Sequence, residues 1–169
     1  MKTPIELEAI MALADNGAFG IHQGLPWHIP SELEYFKSIT MNNPMIMGYN
    51  TFKSIGKILP GRDHIVITSK KIPIQEALYI VDSFSEACSV LQTLHCKKAF
   101  IIGGATLFTD TLDLCSLVHV SRIHIAPKAD IFFTFPVDNW HCIQESDKIL
   151  DQKTAISYTL QKWKKIKGL

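Results

Sequence analysis

Strand-like and helix-like hydrophobic patterns alternate through the first two thirds of the chain. Ile5 to Ala14 is apolar, with β-branched entries, and closes on Asp15-Asn16-Gly17, which predicts a buried strand and a turn. Ala18 to Pro30 carries Gly20, Gly24, Pro26 and Pro30 and predicts a loop without regular structure, of a length that is often functional. Ser31 with Glu34 three residues on has the pattern of a capping box, so a helix is expected from there to about Asn42-Asn43-Pro44. Met45-Ile46-Met47 reads as a short buried strand closed by Gly48, and Asn50 to Ile55 as a short helix with Asn50 as N-cap and Gly56 as its stop. A turn at Leu59-Pro60-Gly61-Arg62 precedes strands at His64 to Thr68 and Leu78 to Val81. Ser83 or Ser85 caps a helix running to about His95, and Lys98 to Ile102 is a strand that ends in Gly103-Gly104 with a helix from Ala105.

The last third differs. Leu117 to Ile125, roughly Ile131 to Phe135, Trp140 to Glu145 and Ala155 to Trp163 are strand-like with little helix between them. The whole pattern predicts an α/β fold: one domain over residues 1–169, a mostly parallel sheet with helices on both faces, and an antiparallel C-terminal edge on the same sheet.

Composition narrows the function classes. Hydrophobic residues make up 47% and charged residues 20% of the 169, as in a soluble globular domain with a full core. A net charge of +1 gives no electrostatic reason to expect nucleic acid or an anionic membrane as partner. No apolar run approaches the roughly 18 residues of a membrane helix, and no basic segment leads into a signal-like run. Cys88, Cys96, Cys115 and Cys142 form no C-x-x-C pair and read as reduced thiols, so a cytoplasmic location is expected. The seven histidines form no ligand cluster, so no metal site is expected.

Glu32 is the most informative position. With Glu32 at zero on a helical wheel advancing about 100° per residue, Phe36, Ile39, Tyr35 and Leu33 fall around it, while Glu34 lies nearly opposite. Glu32 is then either a carboxylate held in an apolar setting, a candidate acid or ligand anchor, or a side chain that reaches water from the first helical turn. Met47-Gly48 and Ile101-Ile102-Gly103-Gly104-Ala105 each lead from a strand into a helix, where free N–H groups can meet phosphate. Neither is a G-x-G-x-x-G or Walker loop, so each is equally a tight turn. Arg62 in its turn can clamp a carboxylate, or lie on the surface. Trp27 can present an indole N–H to a ligand, or anchor the loop.

Taken together, Gly20 to Phe36 (G-I-H-Q-G-L-P-W-H-I-P-S-E-L-E-Y-F), Pro44 to Arg62 (P-M-I-M-G-Y-N-T-F-K-S-I-G-K-I-L-P-G-R) and Ile101 to Phe108 (I-I-G-G-A-T-L-F) resemble the dihydrofolate reductase family over almost the whole chain. The resemblance implies an eight-stranded sheet and NADPH-dependent reduction of 7,8-dihydrofolate to tetrahydrofolate, serving one-carbon metabolism and thymidylate synthesis. It implies antifolates as further ligands, and a monomer is expected. Glu32 takes the place of the family's active-site carboxylate, Ser121 that of the threonine supporting it, and Trp27 that of the tryptophan beside it. Ile10, Leu33, Phe36, Ile55 and Leu59 match positions around the pterin and benzoyl rings, and Arg62 the arginine for the substrate's α-carboxylate. On the cofactor side, Ala12, Phe19, Gly20 and Leu25 match the nicotinamide strand and loop, whose closure excludes water. Gly48, Asn50 and Thr51 match the first helix start that holds the pyrophosphate, and Tyr49 sits among them on the cofactor side. Ile102, Gly103, Gly104, Ala105, Leu107 and Phe108 match the second, with Thr106 among them on the cofactor side and a cis peptide expected between the glycines.

The chain departs from the pattern at Tyr49 and Thr106, where many relatives carry arginines for the cofactor's 2′-phosphate; Thr68, Ser69, Lys70 and Lys71 remain nearby. Two rivals are a same-fold reductase of a ribosylaminopyrimidine, against which Arg62 and Trp27 argue, and a redox-inactive nucleotide-binding module, against which Glu32 and the two glycine turns argue.

Overall fold

The strands are apolar on both faces because helices cover both faces of the sheet. The structure, a computed structural model, describes residues 4–20 and 24–168. Its strands are β1 (Glu6–Ala14), β2 (Ala18–Gly20), β3 (Met45–Gly48), β4 (His64–Ile67), β5 (Leu78–Val81), β6 (Lys98–Gly103), β7 (Leu117–Ile123), β8 (Ile131–Phe132), β9 (Trp140–Glu145), β10 (Ile149–Leu150) and β11 (Ser157–Lys165). The helices are α1 (Pro30–Thr40), α2 (Tyr49–Ile55), α3 (Phe84–Thr93) and α4 (Ala105–Thr111).

The main sheet runs β10-β11-β7-β1-β6-β3-β4-β5, with β9 as a ninth strand beside β11. β7, β1, β6, β3, β4 and β5 are mutually parallel, and every pairing of β11 is antiparallel. This is the expected sheet, with the C-terminal edge carrying one strand beyond eight. Ala9, Met11 and Leu13 of β1 join Ile101, Val118 and Val120 on one face, beneath Ala87 and Leu91 of α3 and Phe108 of α4. Ile10 turns to the other face, with Met45, Met47, Val66 and Phe100, beneath Phe36 and Ile39 of α1 and Phe52 and Ile55 of α2. Each large side chain buried this way contributes about 1.5–3 kcal/mol.

Four expectations are corrected. Ala18–Gly20 is a strand, not part of an irregular loop, and it pairs with Ile131–Phe132 in a separate two-stranded sheet, so the 131–135 segment does not extend the main sheet. No side chain of the Ser31/Glu34 pair caps α1, because the Ser31 N–H is already taken by Asp151 Oδ1 at 3.0 Å. α2 begins one residue earlier than expected, with Gly48 rather than Asn50 as its N-cap. The final strand starts at Ser157 rather than Ala155, which sits at φ 58° in a turn. Ile21, His22 and Gln23 of the expected mobile loop lie outside the described residues.

The centre of the sheet fixes where a ligand goes. β1 and β6 are neighbours, yet the chain leaves β1 toward β3 on one flank and leaves β6 for β7 on the other. Such a switch opens a crevice at the carboxyl ends of the strands, where α/β sheets bind ligands.

Candidate active site

α1 delivers the acid. Pro30 opens the helix, Asp151 accepts from the Ser31 N–H, and the Tyr158 hydroxyl donates to Ser31 Oγ at 2.8 Å. The first turn is therefore held to the β10–β11 end of the sheet, and the next residue, Glu32, faces β7. Ser121 Oγ donates to Glu32 Oε1 at 2.9 Å. Ser121 stands opposite Ala12 across the β1–β7 pairing, so the contact lies above the centre of the sheet. Glu32 is only 6% exposed, which decides against a side chain reaching for water, whereas Glu34 is exposed as expected. Burial pushes the Glu32 carboxyl above its ordinary value, and the Ser121 hydroxyl pulls the other way. No lysine, arginine or histidine pairs with it among the described residues. Tyr35 is pushed up as well, by burial and then by the Glu32 charge.

Trp27 is buried and packs with Ile29, Ala14 and Ile123. Its indole Nε1 has no protein partner among the described residues. An unpaired buried donor is costly, so this N–H is suited to a polar ligand edge or an ordered water. Apolar walls follow along the same side of the sheet. Ile10 is buried, Phe36, Ile55 and Leu59 are half-buried, and Leu33 keeps 41% of its surface exposed.

At the far end of α1 stands a second charge. Arg62 is buried, and its guanidinium meets only neutral acceptors: Nε donates to the Pro60 carbonyl at 3.1 Å and an Nη to Thr40 Oγ1 at 3.2 Å. No carboxylate pairs with it among the described residues. A cavity of about 520 Å³ lies nearby at the N-terminal ends of β3 to β5, lined by Asn42, Pro44, Ile58, Pro60, Arg62 and Glu76. Neither of the acids in its lining, Asp63 and Glu76, is buried.

The two glycine turns come together. An ideal Cβ built on Gly48 would lie 4.0 Å from both Gly103 O and Gly104 N. Gly103 has φ +121°, and a Cβ there would lie 3.3 Å from the Phe108 ring and 3.5 Å from Thr51 Oγ1. Gly104 faces Thr51 and Phe19 in the same way, and the Gly103–Gly104 peptide is cis. The result is a shelf of bare backbone between the starts of α2 and α4, of the kind that lets a pyrophosphate approach closely. Phe108 is fully buried under this shelf, edge-on to Phe19 at 5.7 Å, so it supports the turn from beneath. Ile102 is buried beside it, Ala105 and Leu107 are half-buried, and Thr106 is exposed. At the outer end, Lys70 Nζ lies 4.2 Å from the Tyr49 ring centre, and the Lys70 N–H bonds to Thr68 Oγ1. Ser69 and Asn50 are exposed alongside; Ala12 packs against the cluster that holds Trp27, Gly20 is buried in β2 next to Ile131, and Leu25 is exposed.

Sequence reasoning missed Thr40, His64, Asp151 and Tyr158. Thr40 lies two turns beyond Glu32 on the same helix, a spacing that could have flagged it. Asp151 meets Ser31 across 120 positions, and no local pattern signals that.

A doubly wound sheet that sets a buried acid beside a bare-backbone shelf defines a class: reductases that bring a dinucleotide against a small heterocycle. Comparison with known proteins narrows it. The family model for dihydrofolate reductase matches residues 6–165. The dihydrofolate reductase of Bacillus subtilis (strain 168) is 32% identical over 157 residues, covering 92% of each chain. The type 3 dihydrofolate reductase of Salmonella typhimurium is 31% identical over 150 residues, covering 88% of this chain and 91% of that one. A solved dihydrofolate reductase from Enterococcus faecalis, complexed with NADP(H) and RAB-propyl, superposes with a TM-score of 0.85 at 26% identity, covering 95% of this chain and 96% of that chain. The chain belongs to the dihydrofolate reductase family, and its activity is the reduction of dihydrofolate.

Proposed function

We infer that this protein reduces 7,8-dihydrofolate to 5,6,7,8-tetrahydrofolate with NADPH, and that Glu32 is the group on which the reaction turns. The observation that carries the residue assignment is a carboxylate with 6% exposure, one serine donor at 2.9 Å and no cation beside it among the described residues. Such a group lacks a partner of opposite charge among the described residues. A pterin edge offers an amino group and a ring N–H side by side, which a carboxylate accepts as two parallel hydrogen bonds. In a dry setting these bonds are strong, and the nearby negative charge favours protonation at N5. Ser121 keeps the carboxylate oriented. The Trp27 indole N–H stabilises the polar edge of the same ring.

Ile10, Leu33, Phe36, Ile55 and Leu59 flank the flat heterocycle and the benzoyl ring. Arg62 binds the α-carboxylate of the glutamyl tail. Glu32 and Thr40, which holds Arg62, stand roughly 12 Å apart along α1, a span suited to one extended folate. When bound, NADPH supplies the hydride. Gly48, Asn50, Thr51, Gly103, Gly104 and Ala105 hold its pyrophosphate, with Ile102 and Leu107 packed behind and Thr106 at the rim. Ala12, Phe19, Gly20 and Leu25 border its nicotinamide. Tyr49, Thr68, Ser69 and Lys70 meet the adenosine end. We extend the reading to a single domain over 1–169, acting as a cytoplasmic monomer that also takes antifolates and binds no nucleic acid. No helix among the described residues is long and apolar enough to cross a membrane.

The test follows the absorbance of NADPH with dihydrofolate, NADH and a ribosylaminopyrimidine as alternatives. Dihydrofolate-dependent oxidation of NADPH is expected. Tight NADPH binding without turnover would instead favour a redox-inactive module, and turnover of the ribosylaminopyrimidine alone would favour the other reductase.

A further inference from the structure

The turn that carries both Leu59 and Arg62 is held from below by a single buried ring. His64, the first residue of β4, is fully buried. Its Nε2 accepts the Leu59 N–H at 3.1 Å, which fixes Nδ1 as the protonated nitrogen, and Nδ1 donates to the Arg62 carbonyl at 3.0 Å. One neutral imidazole therefore spans the turn from its first residue to its last. Burial pulls the ring's proton affinity down, which favours this neutral form. The turn has little freedom elsewhere. Gly61 sits at φ +73°, a Cβ there would lie 2.7 Å from Met41 Sδ, and its carbonyl accepts the Asn42 N–H. Thr40 Oγ1, which donates to the Phe36 carbonyl at 2.8 Å, receives the guanidinium at 3.2 Å. The end of α1 and the imidazole thus both hold the turn.

We propose that His64 is a positioning residue for the tail of the substrate: by bonding both ends of the 59–62 turn it holds the Leu59 side chain and the Arg62 guanidinium in the places where an aromatic ring and a carboxylate bind together. This rests on the reading of Arg62 given above. A bidentate pair depends on geometry, so a small rotation of the turn weakens it without touching the reacting end of the site.

The experiment compares two substrates, dihydrofolate and a 6-methyl dihydropterin that lacks the aminobenzoyl-glutamate tail, each with NADPH. The variants are His64→Leu, which fills the space without polar atoms, and His64→Gln, which retains one donor and one acceptor. His64→Leu is expected to raise KM for dihydrofolate about tenfold with kcat within about twofold. kcat/KM for the tail-less substrate should change less than about twofold. His64→Gln should fall between His64→Leu and the wild type. Equal losses on both substrates, or an unchanged KM for dihydrofolate in both variants, would overturn the proposal. Arg62→Gln separates the two readings. If it leaves the KM for dihydrofolate unchanged, the Arg62 assignment fails and this inference fails with it. If it raises that KM while the His64 variants do not, only this inference fails. Should His64→Leu not fold, nitrogen NMR of the wild-type imidazole still decides, because the geometry requires the Nδ1–H tautomer at neutral pH and an Nε2–H form contradicts it.

Discussion

Replacing Ser121 by alanine tests the electrostatics of the site at one atom. The change removes the hydroxyl that donates to Glu32 Oε1 at 2.9 Å and alters little else, because Ser121 is 1% exposed within β7. A hydrogen bond to a charged group is worth about 1.5–3 kcal/mol, and a buried carboxylate has no water to replace it. One pH unit corresponds to about 1.36 kcal/mol, so the midpoint of the Glu32-dependent pH–rate profile should move by roughly one to two pH units. The sign follows from which form the bond favours. Ser121 stabilises the anion, opposing the burial that already pushes the carboxyl up. Without it the carboxylate binds its proton more readily, and the midpoint rises. The assay is kcat/KM for dihydrofolate across pH at saturating NADPH, with Ser121→Thr as a control that keeps the hydroxyl. A Ser121→Ala profile that overlays the wild type, or shifts downward, would refute the reasoning.

Other parts of the chain give further expectations. The Ser31 side chain first, then the Thr154 hydroxyl and the Ser31 and Thr154 N–H groups, hold the Asp151 carboxyl far below the ordinary range. Its stabilisation is complete above the unfolded value of 3.8 and is lost as pH falls toward the lower folded value. Asp151→Ala should therefore lower the thermal midpoint by a few degrees at neutral pH, with the difference from wild type shrinking in strong acid. Lys70→Gln should reduce kcat/KM with NADPH and leave NADH unaffected, measured side by side, because Lys70 is the cation seated against Tyr49 where many relatives place an arginine. Burial pushes the Cys115 thiol up to about 12, so a thiol reagent at neutral pH should leave Cys115 unmodified until the protein is unfolded, as read by peptide mass.

Much of this site was legible because its signals are local. Gly48, Gly56 and Gly61 punctuate β-branched runs, and the strands at 45–48, 64–67 and 78–81 fall where that punctuation places them. Ser83, one of the two serines expected as the cap, is the one that caps α3, accepting the Glu86 N–H three residues on. The wheel placed Glu32 among apolar neighbours, and the fold buried it. What the wheel lacked was Ser121, which reaches Glu32 only after β7 pairs with β1. The same holds for the start of α1. Ser31 and Glu34 have the letters of a capping box, but a carboxylate from the β10–β11 turn occupies the N–H first, and nothing near position 31 signals a partner at position 151. β2 was missed because three residues are too short to show a period of two, and the strand expected from Ile131 carries no local signal that its partner is β2 rather than the main sheet.

We propose that the buried Glu32 carboxylate, and no other acid in the chain, drives reduction of the pterin. The most direct measurement is the single-turnover rate of NADPH oxidation on dihydrofolate, taken for the wild type and Glu32→Gln at neutral pH. The amide fills the same space but cannot carry the charge. A rate reduced roughly 10²-fold or more is expected, with NADPH affinity unchanged. A Glu32→Gln protein that turns over at the wild-type rate would contradict the proposal.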